Sequence, residues 1–165
     1  MMQVILWLLV FFGTFMMMEG MAWFTHKYVM HGFLWKLHKD HHHKDHSSWW
    51  ERNDLFFVFY ALVSIGCFLL WRYEDVWFSL PIGLGILAYG ITYFTVHDIF
   101  IHQRFKIFRN ANNKYAKGIR RAHKMHHKHL GKDDGECFGM LFVPFKYFRK
   151  YFLDTFASNC WNRRK

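Results

Sequence analysis

Three long apolar runs leave this chain few ways to fold. Val4–Phe24 is 21 residues with one charge, Glu19, while Leu55–Trp71 is 17 residues and Val76–Val96 is 21 residues, both without any charge. A helix rises about 1.5 Å per residue, so about 20 residues cross a hydrocarbon core of roughly 30 Å with every backbone group paired internally. The expectation is an all-α integral membrane bundle with about three transmembrane helices, at 4–24, 55–71 and 76–96. Only Arg72, Tyr73, Glu74 and Asp75 separate the second and third runs, which makes them an antiparallel hairpin. The first run has no basic segment before it and no small-residue cleavage site after it, so it reads as a span and not as a removed leader.

The charge distribution gives these spans a direction. Of 22 lysines and arginines, five lie from Lys27 to Arg52 and 16 from Arg104 onward, leaving Arg72 alone in the short loop. Basic residues concentrate on the cytoplasmic side of membrane proteins, so the segment between the first two spans and the one after the third are expected there and the N-terminus outside. The net charge of +10 then needs no nucleic acid to explain it; acidic partners and anionic lipid headgroups both suit such a face. Phe138–Phe156 mixes aromatic residues with Lys146, Arg149 and Lys150, which favours an interfacial segment. A re-entrant stretch around Leu141 or a fourth span is the alternative. With two prolines and no low-complexity stretch the chain offers no linker, and residues 1–165 are expected to form one domain. Cys67, Cys137 and Cys160 are too scattered for a zinc ribbon or a disulfide framework.

Ten of the 13 histidines fall in four clusters, all on the expected cytoplasmic side: His26 and His31; His38, His41 and His42; His97 and His102; His123, His126 and His127. Residues i, i+3 and i+4 share a helix face, so each triplet is expected to aim at one point, like half a metal site. The pairs are five apart, a rotation of about 140° on an ideal helix, and call for a helix end, a bulge or a second metal. Ten imidazoles exceed what one ion takes, and two ions with about five each use them all. Imidazole suits iron, zinc, copper and nickel alike. Walls of Phe, Trp, Tyr and Met suit an apolar substrate arriving through the bilayer, and oxidising its C–H bonds favours iron. His43, His46 and His129 stand outside the pattern as solvated residues or supports for ligands.

These spacings, set in the words HKYVMHG, VHDIFIHQR and AHKMHH, resemble the bacterial-type β-carotene 3-hydroxylases of the fatty acid hydroxylase and sterol desaturase superfamily. The likeness covers nearly the whole chain and includes ERNDLF at Glu51–Phe56. It departs after His42, where HKDHSSWW lacks a proline common in that family. The resemblance implies a non-haem di-iron centre ligated by all ten motif histidines. It also implies O2 as co-substrate and hydroxylation of β-carotene at carbon 3 of each β-ionone ring, giving β-cryptoxanthin and then zeaxanthin. A bacterial inner membrane is the implied setting. No flavin, haem or iron–sulfur motif is visible, so a ferredoxin with its reductase is the expected electron donor. Zinc can replace iron in a purified sample.

Three carboxylates invite roles beside the histidines. Glu19 is seven residues before His26, on the same face but about 10.5 Å away, and either bonds another motif's imidazole or orders the bundle. Asp98 and Asp54 are placed to orient a histidine, with capping of the second span the stronger reading for Asp54. Gly83, Gly85 and Gly90 read as helix-packing positions rather than as the lining of a substrate path. Two rival functions remain: hydroxylation or desaturation of another lipid, such as a fatty acid or sterol, and metal binding without catalysis.

Overall fold

The computed structural model describes residues 1–43 and 47–149. It is helical, with no strand among the described residues. In chain order the elements are α1 (Met2–Phe24), a π-helical segment (Thr25–Phe33), α2 (Trp35–His42), α3 (Asp54–Glu74), α4 (Ser79–Phe94), a second π-helical segment (Thr95–Ile101), α5 (Lys114–Lys128) and a short 3-10 turn (Phe145–Tyr147).

Among the described residues three helices are long and apolar enough to cross a membrane: Met2–Phe33, Asp54–Glu74 and Ser79–Ile101. The first and third run past the expected ends at 24 and 96, because each continues from α-helix into π-helix and carries its histidine pair with it. The third also starts three residues late, at Ser79 instead of Val76. The intervening turn is made by Asp75 in the left-handed region (φ 52°), a conformation that a short polar side chain tolerates and that ends α3.

Helix α4 packs between α1 and α3. Glycines make this close approach feasible on both sides. A Cβ at Gly85 would lie 2.8 Å from Thr14 Cβ and 2.9 Å from the Phe11 carbonyl oxygen of α1, and one at Gly83 would lie 2.7 Å from the Phe68 ring of α3. The Ser64 hydroxyl donates to the Gly83 carbonyl at 2.8 Å and ties α3 to α4. Packing of small residues with an interhelical hydrogen bond holds helices together where lipid offers no hydrophobic contrast. The buried apolar cluster between these helices is accordingly small, Met18, Ile86 and Tyr89, with Phe15, Tyr60, Tyr93 and Leu141 packed around it. Large side chains such as Leu9, Phe12, Leu62 and Ile91 point outward.

Helix α5 is amphipathic. Asn113 caps it, its side chain accepting from the Ala116 N–H at 2.7 Å. One face buries Ala116, Ile119, Ala122, His123 and His126, while Lys117, Arg121, Lys124 and Lys128 form an exposed basic stripe. From Phe138 to Phe148 the chain holds only irregular backbone and the 3-10 turn, so no fourth span forms over those residues, and residues 150–156 of that expected segment lie outside the described residues.

Candidate metal centre

The five-residue spacing is resolved by the backbone. In both pairs the helix widens to π-type hydrogen bonding, with the Leu34 N–H donating to the Val29 carbonyl at 3.0 Å and the His102 N–H to the His97 carbonyl at 2.9 Å. Residues five apart then stack on one face, so His26 and His31 aim together, as do His97 and His102. π-bulges inside α-helices are rare and concentrate at functional sites. Gly32 leaves helical dihedrals (φ −99°, ψ −122°) and lets the chain turn into α2.

Nine of the ten motif histidines gather into two groups. His26, His31, His38, His42 and His126 form one, and His41, His97, His102 and His123 the other, with ligand-type atoms within 4.8 Å of one another in each. The triplets do not act as half-sites, contrary to expectation. His38 and His42, one turn apart on α2, join the first group while His41 turns to the second; on α5, His126 and His123 divide the same way. His127 sits between the groups, its ring centroid 4.5 Å from those of both His42 and His123, and its Nε2 is buried without a hydrogen-bond partner.

Outer partners fix the tautomers. In the five-histidine group, Nδ1 of His26 donates to the Phe138 carbonyl at 3.0 Å, that of His31 to Lys132 at 3.0 Å, that of His42 to His129 at 3.1 Å and that of His126 to Glu136 at 2.9 Å. His38 Nδ1 donates to the Asn53 side-chain oxygen at 2.7 Å. In the four-histidine group the acceptors are carboxylates, Glu51 for His41 at 2.9 Å and Asp98 for His97 at 3.1 Å. An acceptor-only partner requires Nδ1 to carry the proton, so the Nε2 lone pairs turn inward.

Those lone pairs face each other closely: His26 to His38 and His42 to His38 at 3.2 Å, His31 to His126 at 3.3 Å and His41 to His97 at 3.1 Å; the Nε2 atoms of His102 and His123 lie 2.8 Å apart. Two acceptors cannot bond each other, and a cation between them removes the repulsion. Nitrogens about 2.1 Å from one ion lie roughly 3.0–3.4 Å apart along the edges of its coordination shell, close to the spacings seen. The residues fit two metal ions.

Burial keeps the rings beyond the spanning helices neutral and available. Together with the charge neighbouring imidazoles would add, it pushes His42 down to about 2 and His127 to about 3. Burial pushes His126 to about 4 and holds His41, His102 and His123 well below the ordinary histidine value.

Behind the carboxylates stands Arg104. Its two terminal nitrogens grip both oxygens of Asp54 at 3.0 and 3.1 Å and reach Asp98 at 3.0 Å and Glu51 at 3.2 Å. Asp98 orients a histidine as expected. Asp54 does not orient a histidine: in the first turn of α3 it accepts the Glu51 N–H three residues back at 3.0 Å, as a capping carboxylate does, and it holds Arg104. Glu51, Asn53 and Arg104 were not singled out by sequence reasoning, although each lies within a word that carried the resemblance, ERNDLF or VHDIFIHQR. Of the three histidines outside the pattern, His43 is exposed, His129 lends its carbonyl to His42, and His46 lies outside the described residues.

A cavity of about 320 Å³ opens among α1, α3 and α4 and ends at His97, Asp98 and Arg104. Met18, Phe56, Phe57, Tyr60, Ile86 and Phe94 give it an apolar wall, and Thr25 and Tyr60 share a hydrogen bond of 2.6 Å there. Gly90 lines this cavity, and a Cβ there would lie 3.6 Å from the Phe57 ring, an ordinary contact, so unlike Gly83 and Gly85 it is not required for close helix packing.

The sequence pattern described as fatty acid hydroxylase matches residues 11–149. The chain belongs to the fatty acid hydroxylase family. Within the family it is similar to a β-carotene hydroxylase of Pantoea ananas, 39% identical over 82% of this chain and 77% of that protein, and to one of Pseudescherichia vulneris, 38% identical over 76% and 70%. A chloroplastic β-carotene 3-hydroxylase of Arabidopsis thaliana is 33% identical over 81% of this chain and 45% of its own longer length. No solved structure matches the chain.

Proposed function

We propose that this family member is a β-carotene 3-hydroxylase, using O2 to convert β-carotene to β-cryptoxanthin and then zeaxanthin at a non-haem di-iron site. The observation that carries the reading is an apolar cavity ending on a ligand-type histidine, His97, at the edge of two convergent imidazole groups. The names of the similar proteins point to the same substrate. Ten histidines hold the metals: His26, His31, His38, His42 and His126 one ion, and His41, His97, His102, His123 and His127 the other. Two iron ions there would supply the activation of O2 that an unactivated C–H bond demands.

The chain's own groups do the rest. About 320 Å³ suits one ring end of a carotenoid, leaving the remainder of the polyene in the bilayer. The aromatic and aliphatic wall aligns that ring toward His97 and excludes water, so position and dryness are the protein's contribution. Asp98 and Glu51 keep the protons of His97 and His41 on the outer nitrogens. Electrons come from a ferredoxin with its reductase, a reading supported by the basic stripe Lys117, Arg121, Lys124 and Lys128 on the helix that also carries His123 and His126. The site faces the cytoplasm across a bacterial inner membrane, in keeping with the basic residues around it.

The test is expression of the full chain in a bacterium that accumulates β-carotene, followed by pigment chromatography. Zeaxanthin with transient β-cryptoxanthin is the expected result. Unchanged β-carotene with the protein present in the membrane and iron-loaded would overturn it and direct the search to another lipid.

A further inference from the structure

Glu19 is 7% exposed, sits inside the first membrane-crossing helix and touches no histidine. One of its oxygens accepts three consecutive backbone N–H groups, those of Met140 at 2.9 Å, Leu141 at 2.8 Å and Phe142 at 3.0 Å. The other accepts the Tyr89 hydroxyl of α4 at 2.7 Å. The approach is tight: a Cβ at Gly139 would lie 3.2 Å from the same Glu19 oxygen and 2.9 Å from the Phe142 carbonyl oxygen. Irregular backbone is tolerated at the depth of a membrane helix only when its polar groups find partners in the protein, and Glu19 supplies the partner for three of them.

The segment so anchored is also the one that aims ligands. Just before Met140, the Phe138 carbonyl accepts from His26 and the Glu136 carbonyl from His126. The Phe138 ring packs edge-on against His26, His31 and His126, with centroids 5.4, 5.1 and 5.3 Å away. All three belong to the five-histidine group. The carboxylate partners of the other group, Glu51 and Asp98, are held by Arg104 and not by this segment.

We propose that Glu19 is a positioning residue for the five-histidine metal site, acting through residues 136–142 to hold His26 and His126 in place. The proposal rests on reading the two groups as metal sites. Removing this support should weaken one ion and spare the other, by the roughly 10–100-fold that loss of an outer partner of a ligating histidine typically costs.

The experiment is Co2+ titration of the full chain in detergent, reading metal per chain and the visible absorption of each bound ion. Wild type is expected to bind two Co2+ with distinct spectra. Glu19→Leu, which removes every acceptor, should retain one tight ion whose spectrum matches the one left in His126→Ala. Glu19→Gln keeps an oxygen toward the three N–H groups and should restore the second ion. Where Glu19→Leu yields no folded protein, Gly139→Ala pushes the segment off Glu19 and should show the same selective loss. Equal binding of two ions by Glu19→Leu or Gly139→Ala, or equal weakening of both ions, would overturn the proposal alone. Fewer than two ions in wild type would overturn the metal-site reading and the proposal with it.

Discussion

The two histidine groups are built from the same side chain and differ in what stands behind it. In the five-histidine group every outer nitrogen donates to a neutral oxygen, from Phe138, Lys132, Asn53, His129 or Glu136. In the four-histidine group His41 and His97 donate to the carboxylates of Glu51 and Asp98, which share Arg104. A carboxylate partner raises the basicity of the imidazole, so a metal held by that group would be bound more tightly and its oxidised state favoured. The four-histidine group is also the one that meets the cavity, through His97. The lesson is that a symmetric motif repeat has produced an asymmetric centre, differentiated by partners the motif does not contain.

Removing a ligand from either group is the coarsest way to probe this. His126→Ala and His123→Ala each should lower hydroxylated pigment in β-carotene-accumulating cells by at least about 100-fold, the top of the range for lesser, outer-partner changes. Residual activity in one of them would mean that a single ion suffices. Next comes Arg104, whose side chain is 8% exposed and faces three carboxylates. Arg104→Ala strands buried charge and should cost about 3–5 kcal/mol in thermal or denaturant stability, with metal lost from the four-histidine group first.

A finer comparison sets Asp98→Ala beside Asn53→Ala. Each removes the acceptor of one ligand, His97 in one group and His38 in the other, and each should weaken only its own metal, by about 10–100-fold. Metal titration with the visible spectrum as reporter checks both, and crossed losses would break the assignment of groups. Acid, by contrast, should not distinguish the groups, because histidines in both are depressed: His42 to about 2 and His126 to about 4 in one, His41, His102 and His123 well below 6.5 in the other. The unfolded chain takes up protons below about 6.5 while these folded rings do not, so stability is present above that pH and is lost as pH falls. Each such histidine contributes at most about 1.4 kcal/mol per pH unit. Melting of the metal-free protein between pH 7.5 and 5 should show the decline, with a shallower slope in either ligand variant.

Much of this was readable from hydrophobicity and spacing. The three spans, the hairpin and the gathering of the histidine clusters follow from apolar runs and a short joint. What the pattern misrepresented is register. Read on an ideal helix, His26 and His31 diverge and His38, His41 and His42 converge; a π-helical turn reverses the first statement, and the meeting of α2 and α5 between two sites reverses the second. Hydrogen-bond partners were the least legible part, because four of the outer acceptors of the five-histidine group are backbone carbonyls and carry no sequence signal. Glu19 was conspicuous as a charge in a span, yet its partners are the Tyr89 hydroxyl and three N–H groups more than 120 positions away.

The most direct test of a centre with two unlike metal sites is Mössbauer spectroscopy of the full chain reconstituted anaerobically with 57Fe2+, with iron per chain measured alongside. Two irons per chain giving two quadrupole doublets of equal area, with only one doublet altered by Asp98→Asn, is the result this account predicts. One iron per chain, or a single doublet that changes as a whole in the variant, would contradict it.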